Sequence, residues 1–220
     1  MRNSLYRIRM ARMTPDDRRE AIIAATLAVM QRQGIAATTV RDVAAELGAS
    51  SGLIHHYMAS MDELIAEAFG RAAGADLLAT RALVEQGQDP LEQLRFFFDS
   101  YTRADGDSGM QLWLDAWAEA ARRPELRQIS QLLNQEWQQL ICGIIDGGVR
   151  AGVMNCADPA AAAWRILSLL DGLHLQEVAH GDSVTGHQVT KWSRHGAEIE
   201  LGLDPGTLTN SSQGNRLARA

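Results

Sequence analysis

The sequence predicts an all-α protein: a three-helix helix-turn-helix unit at the N-terminus, then a helical C-terminal domain, about nine helices in all. Three observations carry this. Apolar residues recur at steps of three and four through one segment after another, the spacing of a helix face. The segments open on Thr, Ser or Asp next to Pro or acidic residues and close on Gly, which are helix start and stop signals. Alanine is abundant, there are only five prolines, and no run alternates as a half-buried strand does.

Thr14-Pro15-Asp16-Asp17 starts the first helix, with a hydroxyl at the N-cap, Pro at the first helical position and two carboxylates at the positive end of the dipole. It runs to about Gln33 on Ile22, Ala25 and Val29 and on Ile23, Leu27 and Met30, and Gly34 stops it. Thr39-Val40-Arg41-Asp42 caps a short second helix with the stripe Val40, Val43, Ala44 and Leu47, ended by Gly48. Gly48-Ala49-Ser50 is a tight turn, and Ser50 caps a third helix whose apolar face is Leu53, Ile54, Tyr57 and Met58. Ser60-Met61-Asp62-Glu63 is a further capping box, opening a long fourth helix that fades near Gln86.

Asp89-Pro90 starts the fifth helix, and the polar run Ala104 to Gly109 separates it from a sixth carrying Trp113 and Trp117. Pro124 begins the seventh, striped by Leu126, Ile129, Leu133, Trp137, Leu140 and Ile144. Asp158-Pro159 opens the eighth, which reaches about His180. The ninth, near 184 to 203, sets Val189, Trp192, Gly196, Ile199 and Leu203 at alternating steps of three and four, a packing seam. From these limits we expect a flexible basic arm over 1–13, a helix-turn-helix domain over 14–60, a second domain over 61–203 and a disordered tail over 204–220.

Charge divides along the chain. Residues 1 to 60 carry eight Arg against five acids, a surplus of three, so a net charge of −6 leaves −9 on the rest. A basic head can neutralise phosphates while an acidic body keeps off the duplex. No segment holds the roughly 20 apolar residues of a bilayer span, since Arg165 and Asp171 interrupt the most apolar one. Cys142 and Cys156 lack the spacing of a zinc site or a disulfide framework, so reduced thiols in a cytoplasmic protein are expected, with no metal and no cofactor. The first thirteen residues hold four Arg and no acid, which suits a DNA-contacting arm, an organelle transit peptide or a simple extension before Met10 or Met13.

In a helix-turn-helix the second helix of the motif enters the major groove and the first lies across the backbone. Thr39 and Arg41 then face a phosphate, while hydroxyls and imidazoles at Ser50, Ser51, His55 and His56 can bond base edges, and Gly52 lets the backbone approach. The candidate DNA-contacting residues are Thr39, Arg41, Ser50, Ser51, Gly52, His55, His56 and Tyr57. Residues 14 to 65, and above all TTVRDVAAELGASSGLIHHYMASMDELI, resemble the DNA-binding head of TetR-family repressors. Two positions depart from that pattern: His55 stands where the family usually has Tyr, and Met61 where it usually has a phosphate-binding Lys.

The segments WLDAWAEAARRPELRQ and AAAAWRILSLLDGLHLQ resemble the C-terminal domain of the BetI-like subgroup. The resemblance implies a homodimer on double-stranded operator DNA, released by a small-molecule effector held among helices five to eight. Phe97, Tyr101, Trp113, Trp117, Trp137, Cys142 and His174 are the candidate ligand residues, and aromatic faces suit an aromatic or cationic effector. The eighth helix is apolar almost all round, so a second partner must cover it; a second subunit is the simplest, and Trp164, Leu167, Asp171, Val189, Trp192, Gly196 and Ile199 are the candidate dimer residues. Asp171, His174 and Glu177 can instead serve the ligand.

Two other classes compete. Gly48-Ala49-Ser50-Ser51-Gly52 matches the nucleophile elbow of a serine hydrolase, but the elbow needs a buried strand before the serine, and VRDVAAEL has helical spacing. A helical adaptor without DNA binding would explain the seams but not the basic head.

Overall fold

A computed structural model describes residues 13–101, 106–181 and 183–209. Residues 1–12 of the expected arm and 210–220 of the expected tail lie outside them. Among the described residues there are nine helices and no strand: α1 Pro15–Gln33, α2 Val40–Glu46, α3 Ser51–Tyr57, α4 Met61–Val84, α5 Pro90–Ser100, α6 Gly106–Ala120, α7 Pro124–Arg150, α8 Pro159–His180 and α9 Gly186–Glu200. The start signals act as their chemistry requires. Thr14, Thr39 and Thr185 each form a reciprocal capping box with the residue three places on, and Asp89 and Asp158 cap α5 and α8 ahead of their prolines. Ser60 accepts from the Glu63 N–H at 3.0 Å, while the Glu63 carboxylate reaches back to the Ala59 N–H.

Two expectations need correction. The polar run from Ala104 to Gly109 does not keep α5 and α6 apart along its whole length, because α6 starts at Gly106. A glycine costs a helix about 1 kcal/mol, which burial of Met110, Leu112 and Trp113 just downstream outweighs. Disorder does not set in at Asp204 either. Leu208 is fully buried, its N–H donates to the Glu198 carboxylate at 2.8 Å, and Arg194 and Arg95 donate to the Leu208 and Thr207 carbonyls. One apolar plug and three long polar side chains anchor a stretch whose composition is that of a loop.

Among the described residues the fold divides into two compact units, one within Met1–Gly74 with Gln111–Leu133, the other within Ala75–Met110 with Asn134–Ala220. In the first, Ile22, Val29, Val43, Leu47, Ile54, Leu64, Ile65 and Phe69 make the core. Phe69 meets Trp113 edge to face at 5.0 Å, and Arg123 pairs with Asp62 and Glu119. In the second, Leu94, Phe97 and Phe98 of α5, Trp137, Ile141 and Ile145 of α7 and Ile166, Leu167 and Leu170 of α8 are buried, with the Phe97 and Trp137 rings 6.3 Å apart. Helix α9 lies on α8, so close that a Cβ at Gly196 would come within 2.4 Å of the Leu169 side chain.

Candidate functional site

The first site is the helix-turn-helix. The Thr39 hydroxyl accepts from the Asp42 N–H, and the Asp42 carboxylate takes the Thr39 N–H and hydroxyl in return. That bond to Thr39, helped by Gln33 and the nearby Arg41, holds the Asp42 carboxyl below its ordinary range. The chain then leaves α2 through Gly48, whose φ of +60° lies in the left-handed region that favours glycine. Ile54 is buried and Leu53 half-buried, which turns Ser51, Gly52, His55 and His56 out to solvent. Thr39, Val40, Arg41, Asp42, Ser51 and His55 line an open groove of about 630 Å³.

The eight candidate DNA residues differ in exposure on this surface. Thr39, Arg41, Ser51, Gly52, His55 and His56 are all exposed. Ser50 is exposed too and stands at the N-cap of α3, but its hydroxyl makes no capping bond; the Leu53 N–H goes to its carbonyl. Tyr57 is half-buried, and its hydroxyl accepts from the Arg18 guanidinium at 3.0 Å, a tie from α1 to the end of α3 that spacing alone does not reveal.

The seven candidate ligand residues fall into different places. Phe97, Tyr101, Trp137 and His174 form one aromatic cluster in the second unit: Tyr101 lies 5.4 Å from Phe97, 5.8 Å from Trp137 and 5.5 Å from His174, between ring centroids. His174 is buried and donates from Nδ1 to the Leu170 carbonyl. The Trp137 indole N–H is buried with no hydrogen-bond partner among the described residues. Trp113 and Trp117 instead meet each other at a tilt, 5.4 Å between centroids, in the first unit, with Trp113 edge to face on Phe69. Cys142 is half-buried on α7, where burial and the nearby Asp146 and Asp158 raise its thiol.

Two carboxylates join the cluster. Asp171, one turn before His174 on α8, is pushed up to about 7 by desolvation, and no Arg or Lys pairs with it among the described residues. Burial, then Asp171 and Asp76, raise the Tyr101 hydroxyl well above its usual value, which places both carboxylates near that ring. Asp76, on α4, is itself raised by desolvation although the residue is exposed. Sequence reading missed it, because one acid on an amphipathic helix has the look of its solvent face.

The candidate dimer residues also separate. Trp164, Trp192 and Ile199 are 40%, 42% and 70% exposed, and Leu169 and Leu175 extend that apolar surface of α8 and α9. Leu167 and Val189 are corrections: both are buried inside their own unit, 2% and 1% exposed, because they line the inward faces of α8 and α9. Gly196 packs on Leu169, and Asp171 belongs to the aromatic cluster.

A capped α2, a glycine turn and an outward-facing α3, followed by a helical ligand-sized body, define a helix-turn-helix transcription regulator. Residues 22–68 match the model of bacterial regulatory proteins of the tetR family, and residues 90–202 match the C-terminal domain of the BetI-type transcriptional repressors. The chain therefore belongs to the TetR family, with a BetI-type C-terminal domain, and it is a DNA-binding regulator, not an enzyme. It is 30% identical over 170 residues to the HTH-type transcriptional regulator BetI of Paraburkholderia xenovorans, covering 75% of this chain and 84% of that one. Against BetI of Stenotrophomonas maltophilia the figures are 32% over 167 residues, 72% and 80%. Among solved structures, a transcriptional regulator from Pseudomonas aeruginosa superimposes with a TM-score of 0.76 at 26% identity, over 88% of this chain and 94% of that one. A regulator from Saccharomonospora viridis, solved in complex with choline, shares the fold with a TM-score of 0.78 at 22% identity, over 84% and 98%.

Proposed function

We propose that this chain is a homodimeric repressor whose head, within 14–60, reads operator DNA, and whose helices beyond residue 61 dimerise and bind an ammonium-type cation that releases the operator. Thr39 and Arg41 are assigned to phosphates and Ser50, Ser51, Gly52, His55 and His56 to base edges, with Tyr57 set by Arg18 at the end of the reading helix. The exposed apolar faces of α8 and α9 supply the dimer contact.

The observation that carries the effector assignment is the ring cluster Phe97, Tyr101 and Trp137 beside Asp171, which no Arg or Lys pairs with among the described residues. Aromatic faces attract a cation by about 0.5–2 kcal/mol each, and a fixed positive charge also compensates a carboxylate that no other described residue neutralises. The choline held by the Saccharomonospora relative is a molecule of this class. To turn operator occupancy from 99:1 to 1:99 such a ligand must favour the released state by about 5.5 kcal/mol.

Gel retardation on the DNA upstream of the protein's own coding region tests both halves. Binding is expected, with choline or tetramethylammonium releasing the fragment. Arg41→Ala should weaken binding to every sequence and lower the salt slope by about 1. Unchanged DNA affinity in that variant would overturn the assignment of the head, and a complex indifferent to both cations would overturn that of the cluster.

A further inference from the structure

We propose that effector binding in the aromatic cluster is coupled to loss of a proton from Asp171, so that the cation is held less tightly, and the operator released less readily, as the pH falls through neutrality. The proposal rests on the cluster being the cation site. Its geometry has three parts. Asp171 lies on α8 one turn before His174, whose ring centroid is 5.5 Å from that of Tyr101, in surroundings that desolvate it and offer it no cationic partner among the described residues. Trp137, on α7, has a buried indole N–H with no partner among the described residues in the same ring cluster. Among the described residues, the other groups around Tyr101 are Asp76 from α4 and His174 from α8, while α7 contributes Trp137, which does not titrate.

An uncompensated carboxyl in such a place keeps its proton until something pays for the charge. Asp171 holds its proton up to about pH 7. A quaternary ammonium ion brings a positive charge that cannot titrate, so it favours the carboxylate and expels the proton to solvent. If only the ionised form binds, apparent affinity falls about tenfold between pH 8 and pH 6, for a group titrating near 7. Near or below pH 7 a large fraction of a proton then leaves with each cation bound.

The experiment is isothermal titration of the full-length dimer with tetramethylammonium chloride from pH 6 to pH 8, at matched ionic strength, in phosphate and in Tris. The expected result is that tenfold loss of affinity toward pH 6, with heats that differ between the two buffers because the released proton is taken up by each. Asp171→Asn should bind more weakly at pH 8 and show no trend with pH. Binding of unchanged affinity across the range, or equal heats once the dilution blanks are subtracted, would overturn the proton coupling and leave the cation site standing. Failure of tetramethylammonium to bind at any pH would overturn both. The buffer comparison uses the wild-type protein alone, so it decides even where the variant does not fold.

Discussion

Asp171 also shapes stability, and the sign follows from where its proton sits. In the unfolded chain a carboxyl gives up its proton near 3.8, in the folded protein only near 7. Between those values the folded state binds more protons, so stability falls as pH rises, and the full penalty is present above pH 7. Thermal unfolding should therefore show Asp171→Asn gaining on the wild type at pH 8 and losing that gain toward pH 4; a gain that does not vary with pH would contradict the assignment. Asp42 runs the other way. Its carboxyl is held low by Thr39, so its contribution is complete above the ordinary carboxylate value and is lost as pH drops through the lowered one. The two residues show what a sequence can disclose at this scale. Asp42 belongs to a local pattern, three places after a threonine, and was legible as a cap. Asp171 is set by burial and acts on Tyr101, seventy positions away, so only its place on an apolar helix was visible, with its partner left open.

At the scale of elements, what was legible is what is encoded within a few residues. Thr14, Thr39, Asp89 and Asp158 announce four helix starts, and Gly48 and Gly181 close α2 and α8 with positive φ. The outward set on α3 followed from Ile54 needing the core. What failed was the inward and outward division of α8 and α9, where apolar residues stand on both sides: Leu167 and Val189 look no different in the sequence from Trp164 and Ile199, yet only the second pair is exposed. The C-terminal stretch failed for the opposite reason, since one leucine among polar residues gives no period. That leucine makes a direct test. Leu208→Ala removes a fully buried side chain and should cost about 2–5 kcal/mol, read as a lower midpoint in urea with the slope unchanged. A midpoint equal to the wild type would mean that the anchored tail contributes nothing.

For the whole molecule, the decisive question is what the exposed face of α8 and α9 does in solution. Trp164, Leu169, Leu175, Trp192 and Ile199 place five large apolar side chains in water on the outer surface of one helix pair, more than scattered exposure explains. A second copy of the same pair would bury them by two-fold symmetry, forming a four-helix bundle. The consequence reaches DNA. Two heads held about 34–36 Å apart meet successive major grooves, and a single head forfeits the gain of simultaneous binding, on the order of 10²–10⁴ in affinity. Ile199→Glu puts a carboxylate at the most exposed of these positions, so an isolated chain tolerates it while a dimer must bury its charge twice. Light scattering should then show the monomer mass where the wild type shows twice that value, with an unaltered helical circular dichroism spectrum. Retardation of a two-half-site operator should weaken by at least a hundredfold, while that of a single half-site stays the same. A variant that remained dimeric and bound the full operator as the wild type does would place the subunit contact elsewhere on the molecule.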